Sequence, residues 1–116
     1  MSSSLHYSRS PVHCDRAAPG RPVAEIMTIN FIIVGMDQLV NNAAKIPYMF
    51  GGEARCPLVI RTPSGAAHQL TAQHSQVLEV WFAYVPGMYV VAPATPADAN
   101  GLIKACISDN ALPSRT

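Results

Sequence analysis

Residues 71–76 read TAQHSQ, which sets His74 among two glutamines and a serine immediately ahead of the apolar run VLEVWFAYV. Imidazole is the side chain whose charge changes near neutrality, so it can donate to a developing oxyanion or carry a proton between reactants. Gln73, Ser75 and Gln76 bring neutral donors and acceptors that can fix its tautomer without committing it to a charge. The competing role for His74 is a helix cap at the mouth of the apolar run, and the hexapeptide alone leaves both open. The other chemistry-bearing residues are more dispersed. Cys14, Cys56 and Cys106 form no Cys-x-x-Cys pair and stand at no metal-ligand spacing from a histidine. Three reduced thiols are expected, with Cys56 and Cys106 acting as small hydrophobes in apolar patterns. His6 and His13 fall in the N-terminal tail and His68 in a loop, where solvated side chains are the plain reading.

Composition narrows the function classes. The 116 residues are 49% hydrophobic and 13% charged, a size that suits one domain, with about half the charged fraction of an ordinary soluble domain. Part of the surface is therefore expected to face another polypeptide. A net charge of +1 without a run of Lys or Arg lacks the footprint of a nucleic-acid binder. The longest apolar stretch is broken by Asn30, Asp37 and Gln38, so no membrane-spanning run is present. Neither a phosphate-cradling GxxxxGK nor a GxGxxG loop occurs, and a self-contained nucleotide site is not supported.

Three units of strand followed by helix must position His74. PVAEIM is short and branched, and it reads as a strand entering a core. Ile32, Ile33, Met36, Leu39, Val40, Ala43 and Ala44 recur at three- and four-residue spacing, which predicts a helix over 31–45. Asn30 is placed to cap it and Pro47 to stop it. PLVIRT (57–62) is a continuous apolar run, the form of a strand buried on both faces. Val77, Leu78, Trp81, Phe82 and Val85 keep helical spacing up to Pro86 and Gly87. YVVAP (89–93) reads as another buried strand. Thr95, Pro96 and Asp98 then make a helix start ahead of the stripe Leu102, Ile103, Cys106 and Ile107. This alternation predicts an α/β fold, a parallel sheet with flanking helices, whose function collects at the carboxyl ends of the strands. TAQHSQ lies at one such end.

The segments RPVAEIMTINF, DQLVNNAAKIPYMFGG, PLVIRTPSG, AAHQLTAQHSQ, WFAYVPGMYVVAPATPADANGLIKACI and SDN follow in order from about Gly20 to Asn110. Together they resemble the beta subunits of thiamine diphosphate-dependent pyruvate dehydrogenases, the first component of the 2-oxo acid dehydrogenase complex. Branched-chain and acetoin-type relatives share much of the pattern. The resemblance implies a partial transketolase-like pyrimidine-binding domain over 21–110, after an unrelated, unstructured tail (1–20) and before a divergent end (111–116).

The resemblance also implies roles. Met27 and Phe31 match residues against the aminopyrimidine of thiamine diphosphate, with Phe31 stacking on the ring; core packing is the plain alternative for each. His74 matches the catalytic histidine near the thiazolium carbon, where the acyl group passes to a lipoyl arm. Leu58, Cys106, Ile107, Asp109 and Ala111 match positions whose backbone carbonyls hold potassium, although Ala111 stands where the family has Asn. An alpha subunit is implied to supply the magnesium and diphosphate site in a tetramer of two alpha and two beta chains, which serves a lipoyl acyltransferase core. The glutamate that assists ionisation of the thiazolium carbon lies upstream of RPVAEIM in the family and is not among residues 1–20. Expected, then, is a piece of a beta subunit from the bacterial cytoplasm, with a mitochondrial or plastid matrix second, inactive by itself in pyruvate decarboxylation and acetyl transfer. A noncatalytic interaction module or the product of a truncated gene is the alternative.

Overall fold

The computed structural model describes residues 21–66 and 69–108, so the tail, the divergent end, His68, Asp109 and Ala111 lie outside the described residues. Two of the expected strands pair. β1 (Val23–Glu25) runs parallel to β2 (Val59–Arg61) in the register Val23 with Val59, Ala24 with Ile60 and Glu25 with Arg61. The Val59 amide donates to the Pro22 carbonyl at 3.0 Å, which starts the ladder where proline's missing N–H is not needed. Arg61 and Glu25 form an exposed ion pair at 3.1 Å, a contact of roughly 0–1 kcal/mol that confirms register more than it stabilises. β2 is half-buried, not covered on both faces as its apolar run predicts.

The crossover from β1 to β2 departs from one α-helix over 31–45. It begins as a 3-10 helix (Ile29–Gly35) and continues as a π-helical stretch (Gln38–Ala43). Tight winding places residues three apart on one face, and it is Ile29 and Ile32 that are buried. In the wider stretch the Ala44 amide reaches the Leu39 carbonyl at 2.9 Å. Asn42 Nδ2 donates to the Asp37 carbonyl at 3.2 Å, a side-chain bond that competes with regular helical pairing. Asn30 does not cap this helix. Thr28 takes the flanking extended position without a side-chain capping bond, and Asn30 lies within the first turn. Nor does Pro47 end the chain's winding, because it falls in the first turn of α1 (Ile46–Met49), where its ring and absent donor are tolerated.

α2 (Glu79–Ala83) is shorter than its pattern predicts. Leu78 and Phe82 turn inward and join Ile29, Ile32 and Leu39 in the core, with Ile26, Met36, Val40, Leu58, Ile60 and Met88 packed around them. Trp81 and Val77 are exposed instead. Residues 89–93 are not a strand: no neighbouring strand pairs with them among the described residues, and extended β-formers without a ladder stay irregular. α3 (Pro96–Ser108) starts as expected. The Asp98 amide donates to Thr95 Oγ1 at 3.2 Å, and that hydroxyl donates to Asp98 Oδ2 at 2.7 Å. Cys106 is a half-buried free thiol, whereas Cys56 is disulfide-bonded. That corrects the expectation of reduced thiols throughout, since approach of two cysteines in space is invisible to their sequence spacing.

One contact joins the crossover to the segment after α2. Gly87 has φ +87°, and a Cβ there would stand 2.5 Å from the Ala44 carbonyl oxygen. Gly87→Ala is expected to destabilise the chain by about 1–3 kcal/mol through backbone strain alone, with the collision adding to it. Urea unfolding followed by circular dichroism measures this, and an unchanged midpoint would refute the close approach.

Candidate functional site

The ladder between β1 and β2 keeps going after the strands end. The Ile26 amide donates to the Arg61 carbonyl and the Ile29 amide to the Pro63 carbonyl, both at 3.0 Å. Segments 26–31 and 61–65 therefore leave the sheet side by side at its carboxyl edge. A third segment joins them. The Gly65 amide donates to the Gln76 carbonyl at 3.2 Å, and Asn30 Nδ2 donates to Gln76 Oε1 at 2.6 Å. Between those anchors, Gln69 (φ 51°) and Thr71 (φ 61°) take the left-handed conformation that side-chain-bearing residues rarely adopt. Ser64 Oγ donates to Glu79 Oε2 at 2.8 Å and ties the β2 exit to the start of α2.

Inward burial of Ile29 and Ile32 leaves Phe31, between them, 40% exposed at the β1 exit. There it meets His74, with ring centroids 5.0 Å apart and planes tilted by 33°. Met27 stands on the same exit, 75% exposed. Thr28 Oγ1, Asn30 Oδ1, His74 Nδ1 and Ser75 Oγ are buried side-chain atoms that lack a hydrogen-bond partner. Every one of them belongs to the two segments that meet here. A buried polar atom left unpaired costs about 1–3 kcal/mol, so this clustering marks a place that a polar ring with donors and acceptors would stabilise.

The fold joins two of the expected residues directly, Phe31 and His74, while Met27 follows β1 on the same segment as Phe31. His74 is not a helix cap, since α2 begins at Glu79 with Leu78 as its flanking residue. Its Nδ1 is bound by none of Gln73, Ser75 and Gln76, and Gln76 turns to Asn30 instead. The sequence pattern casts Asn30 as a cap and gives Thr28 no role beyond its place at the end of the first strand, whereas the fold buries an unpartnered oxygen of each at this edge. Of the positions matched to potassium, the three among the described residues lie away from this edge. Leu58 precedes β2, and Cys106 and Ile107 fall in the last turns of α3. The Cys106 carbonyl accepts a hydrogen bond from Arg21 Nη1 at 2.8 Å, so a guanidinium already engages it. Among the described residues, no group of three or more His, Cys, Asp or Glu is poised for a metal, and no helix is long and apolar enough to cross a membrane.

Residues 16–114 match the family described as transketolase, pyrimidine binding domain. The chain belongs to that family. Within the pyrimidine-binding domain, 89 residues are 52% identical to the pyruvate dehydrogenase E1 component subunit beta of Rhizobium meliloti, covering 77% of this chain and 19% of that protein. The mitochondrial human subunit of the same name is 48% identical over 90 residues, 78% of this chain and 25% of its own length. The beta subunit of the acetoin:2,6-dichlorophenolindophenol oxidoreductase of Cupriavidus necator is 51% identical, again over 78% of this chain and 27% of its own length. The chain thus spans about a fifth to a quarter of these curated relatives. Membership involves thiamine diphosphate, and the exposed aromatic face with orphaned polar atoms at one sheet edge fits its aminopyrimidine ring.

Proposed function

We propose that this chain provides the aminopyrimidine-binding half of a thiamine diphosphate site in the E1 component of a 2-oxo acid dehydrogenase, with pyruvate as the oxo acid. The observation that carries the reading is the Phe31–His74 pair, 5.0 Å apart, beside the four unpartnered polar atoms of Thr28, Asn30, His74 and Ser75. Phe31 offers a ring face for stacking, and Met27 an exposed polarizable flank. Thr28, Asn30 and Ser75 bring hydroxyl and amide groups to the heteroatoms of a neutral ring. When bound, the coenzyme supplies a carbanion-stabilising thiazolium. His74 holds or moves a proton at its imidazole, or donates to an oxygen that gains charge during acyl transfer to a lipoyl group.

An alpha subunit covers the rest of the site and carries the diphosphate and its magnesium in this reading. Exposed apolar side chains support a protein partner: Val34 is 89%, Tyr48 86% and Tyr84 84% exposed, in a chain poor in charge. The potassium set has weaker support, because Arg21 engages the Cys106 carbonyl. The 51% identity to the acetoin enzyme's subunit gives a second substrate reading, acetoin in place of pyruvate.

The test places residues 21–110 of this chain into the Rhizobium meliloti beta subunit in place of its matching segment, co-expressed with the other subunit of that E1 component. Release of carbon dioxide from pyruvate, dependent on thiamine diphosphate and magnesium, is expected. Turnover of acetoin alone would select the second substrate. A soluble, assembled chimaera that binds no thiamine diphosphate would overturn the reading.

A further inference from the structure

We infer that Asn30 and Gln76 are positioning residues, whose side-chain amides latch the loop bearing His74 to the exit of β1 and thereby hold the imidazole against Phe31. The inference rests on the reading of His74 and Phe31 as functional, but its geometry can be tested without coenzyme.

The bond between Asn30 Nδ2 and Gln76 Oε1 is 2.6 Å and spans 46 positions of sequence. Gln76 is fixed from the other side as well, because its carbonyl accepts from the Gly65 amide at 3.2 Å. One residue thereby ties the loop to both strand exits. Asn30 is adjacent to Phe31, and Gln76 is two residues beyond His74, so the latch closes a short circuit around the ring pair. No hydrogen bond at His74 Nδ1 holds that pose, because the atom is buried without a partner. The backbone ahead of it is strained, with Gln69 at φ 51° and Thr71 at φ 61°, and strained loops keep such conformations only where surrounding contacts over-determine them. The amide pair is a side-chain hydrogen bond that does so across the two segments, beside the ring contact itself. Both partners are neutral, so the latch adds no charge beside the imidazole.

The full chain, labelled with nitrogen-15 and carbon-13, provides the test by NMR. In the parent chain, a nuclear Overhauser contact between the His74 and Phe31 rings and a ring-current displacement of the His74 ring protons are expected at 5.0 Å. Asn30→Ala and Gln76→Ala should each abolish the contact and move the His74 signals to where Phe31→Ala puts them. Gln76→Glu should retain both, because its carboxylate still accepts from Asn30 Nδ2. The methyl signals of Ile29 and Leu78 beside Phe82 serve as the control for an intact core. Persistence of the ring contact in Gln76→Ala, or its equal loss in Gln76→Glu and Gln76→Ala, overturns the latch. If Asn30→Ala disturbs the core methyls, the comparison of the two Gln76 variants decides, since Gln76 is exposed. A chimaera that fails to bind thiamine diphosphate would remove the functional reading and leave these NMR outcomes unchanged, so the two failures are distinct.

Discussion

In the assembled chimaera, His74→Ala should lower turnover with pyruvate and lipoyl acceptor by about 100- to 10,000-fold, the range that a positioned general acid or base contributes. The argument starts from the imidazole's surroundings. Its Nδ1 is buried and has no partner in the fold, so no internal hydrogen bond has to be surrendered before it acts on a substrate atom. Its ring is held beside Phe31 and not packed within the core formed by Ile29, Ile32, Leu39, Leu78 and Phe82. Removing it should therefore leave stability and coenzyme affinity nearly as they were, because the aromatic face and the Thr28 and Asn30 groups remain. A loss confined to kcat is the signature of an interaction made in the transition state. Steady-state kinetics of the variant, paired with coenzyme titration by calorimetry, make the separation. Turnover equal to that of the parent would return His74 to a purely structural place, and an equal loss of coenzyme affinity would recast it as a binding residue.

The parts of this fold legible in the sequence were those governed by local rules. PVAEIM and PLVIRT yield β1 and β2 because branched apolar runs between proline and glycine leave few alternatives. Thr95, Pro96 and Asp98 place the start of α3 because a cap is a contact over three residues. The crossover is different. Apolar residues at three- and four-residue spacing are compatible with 3-10, α and π winding alike, and the choice depends on burial of Ile29 with Ile32 and on the Asn42 bond to Asp37. Residues 89–93 fail for a related reason. A strand is defined by its neighbour, and hydropathy within five residues carries no information about a neighbour.

The same division runs through the site. Residue type, motif resemblance and the rule that function gathers at carboxyl strand ends all point to His74 and Phe31, and the fold brings their rings to 5.0 Å of each other. Asparagine before an apolar periodic run is commonly a cap, and that is what the local sequence predicts for Asn30. Its bond to Gln76 depends on two segments 46 positions apart meeting beyond the sheet edge, which no local pattern encodes. The orphaned oxygens of Thr28 and Ser75 are likewise products of tertiary burial.

Phe31→Ala should weaken thiamine diphosphate binding to the chimaera by about 5- to 150-fold, the equivalent of the 1–3 kcal/mol lost when an aromatic ring is removed from beneath a heterocyclic base. Phe31 is free to make that contact because the core does not need its ring: Ile29 and Ile32 on either side are 3% and 5% exposed, whereas Phe31 is 40% exposed. Truncation should consequently cost affinity without unfolding the domain, and a Tyr replacement should restore binding by restoring a flat face. Phe31→Leu separates stacking from simple burial. If area alone mattered, leucine would recover most of the loss at roughly 25 cal/mol per Å² of apolar contact; if the face matters, leucine should resemble alanine. Calorimetric titration of the parent, Ala, Leu and Tyr proteins provides the comparison, with unfolding midpoints as the control. Coenzyme affinity unchanged in Phe31→Ala would place the pyrimidine elsewhere on the sheet edge, and the paired rings of Phe31 and His74 would then have to be explained as packing.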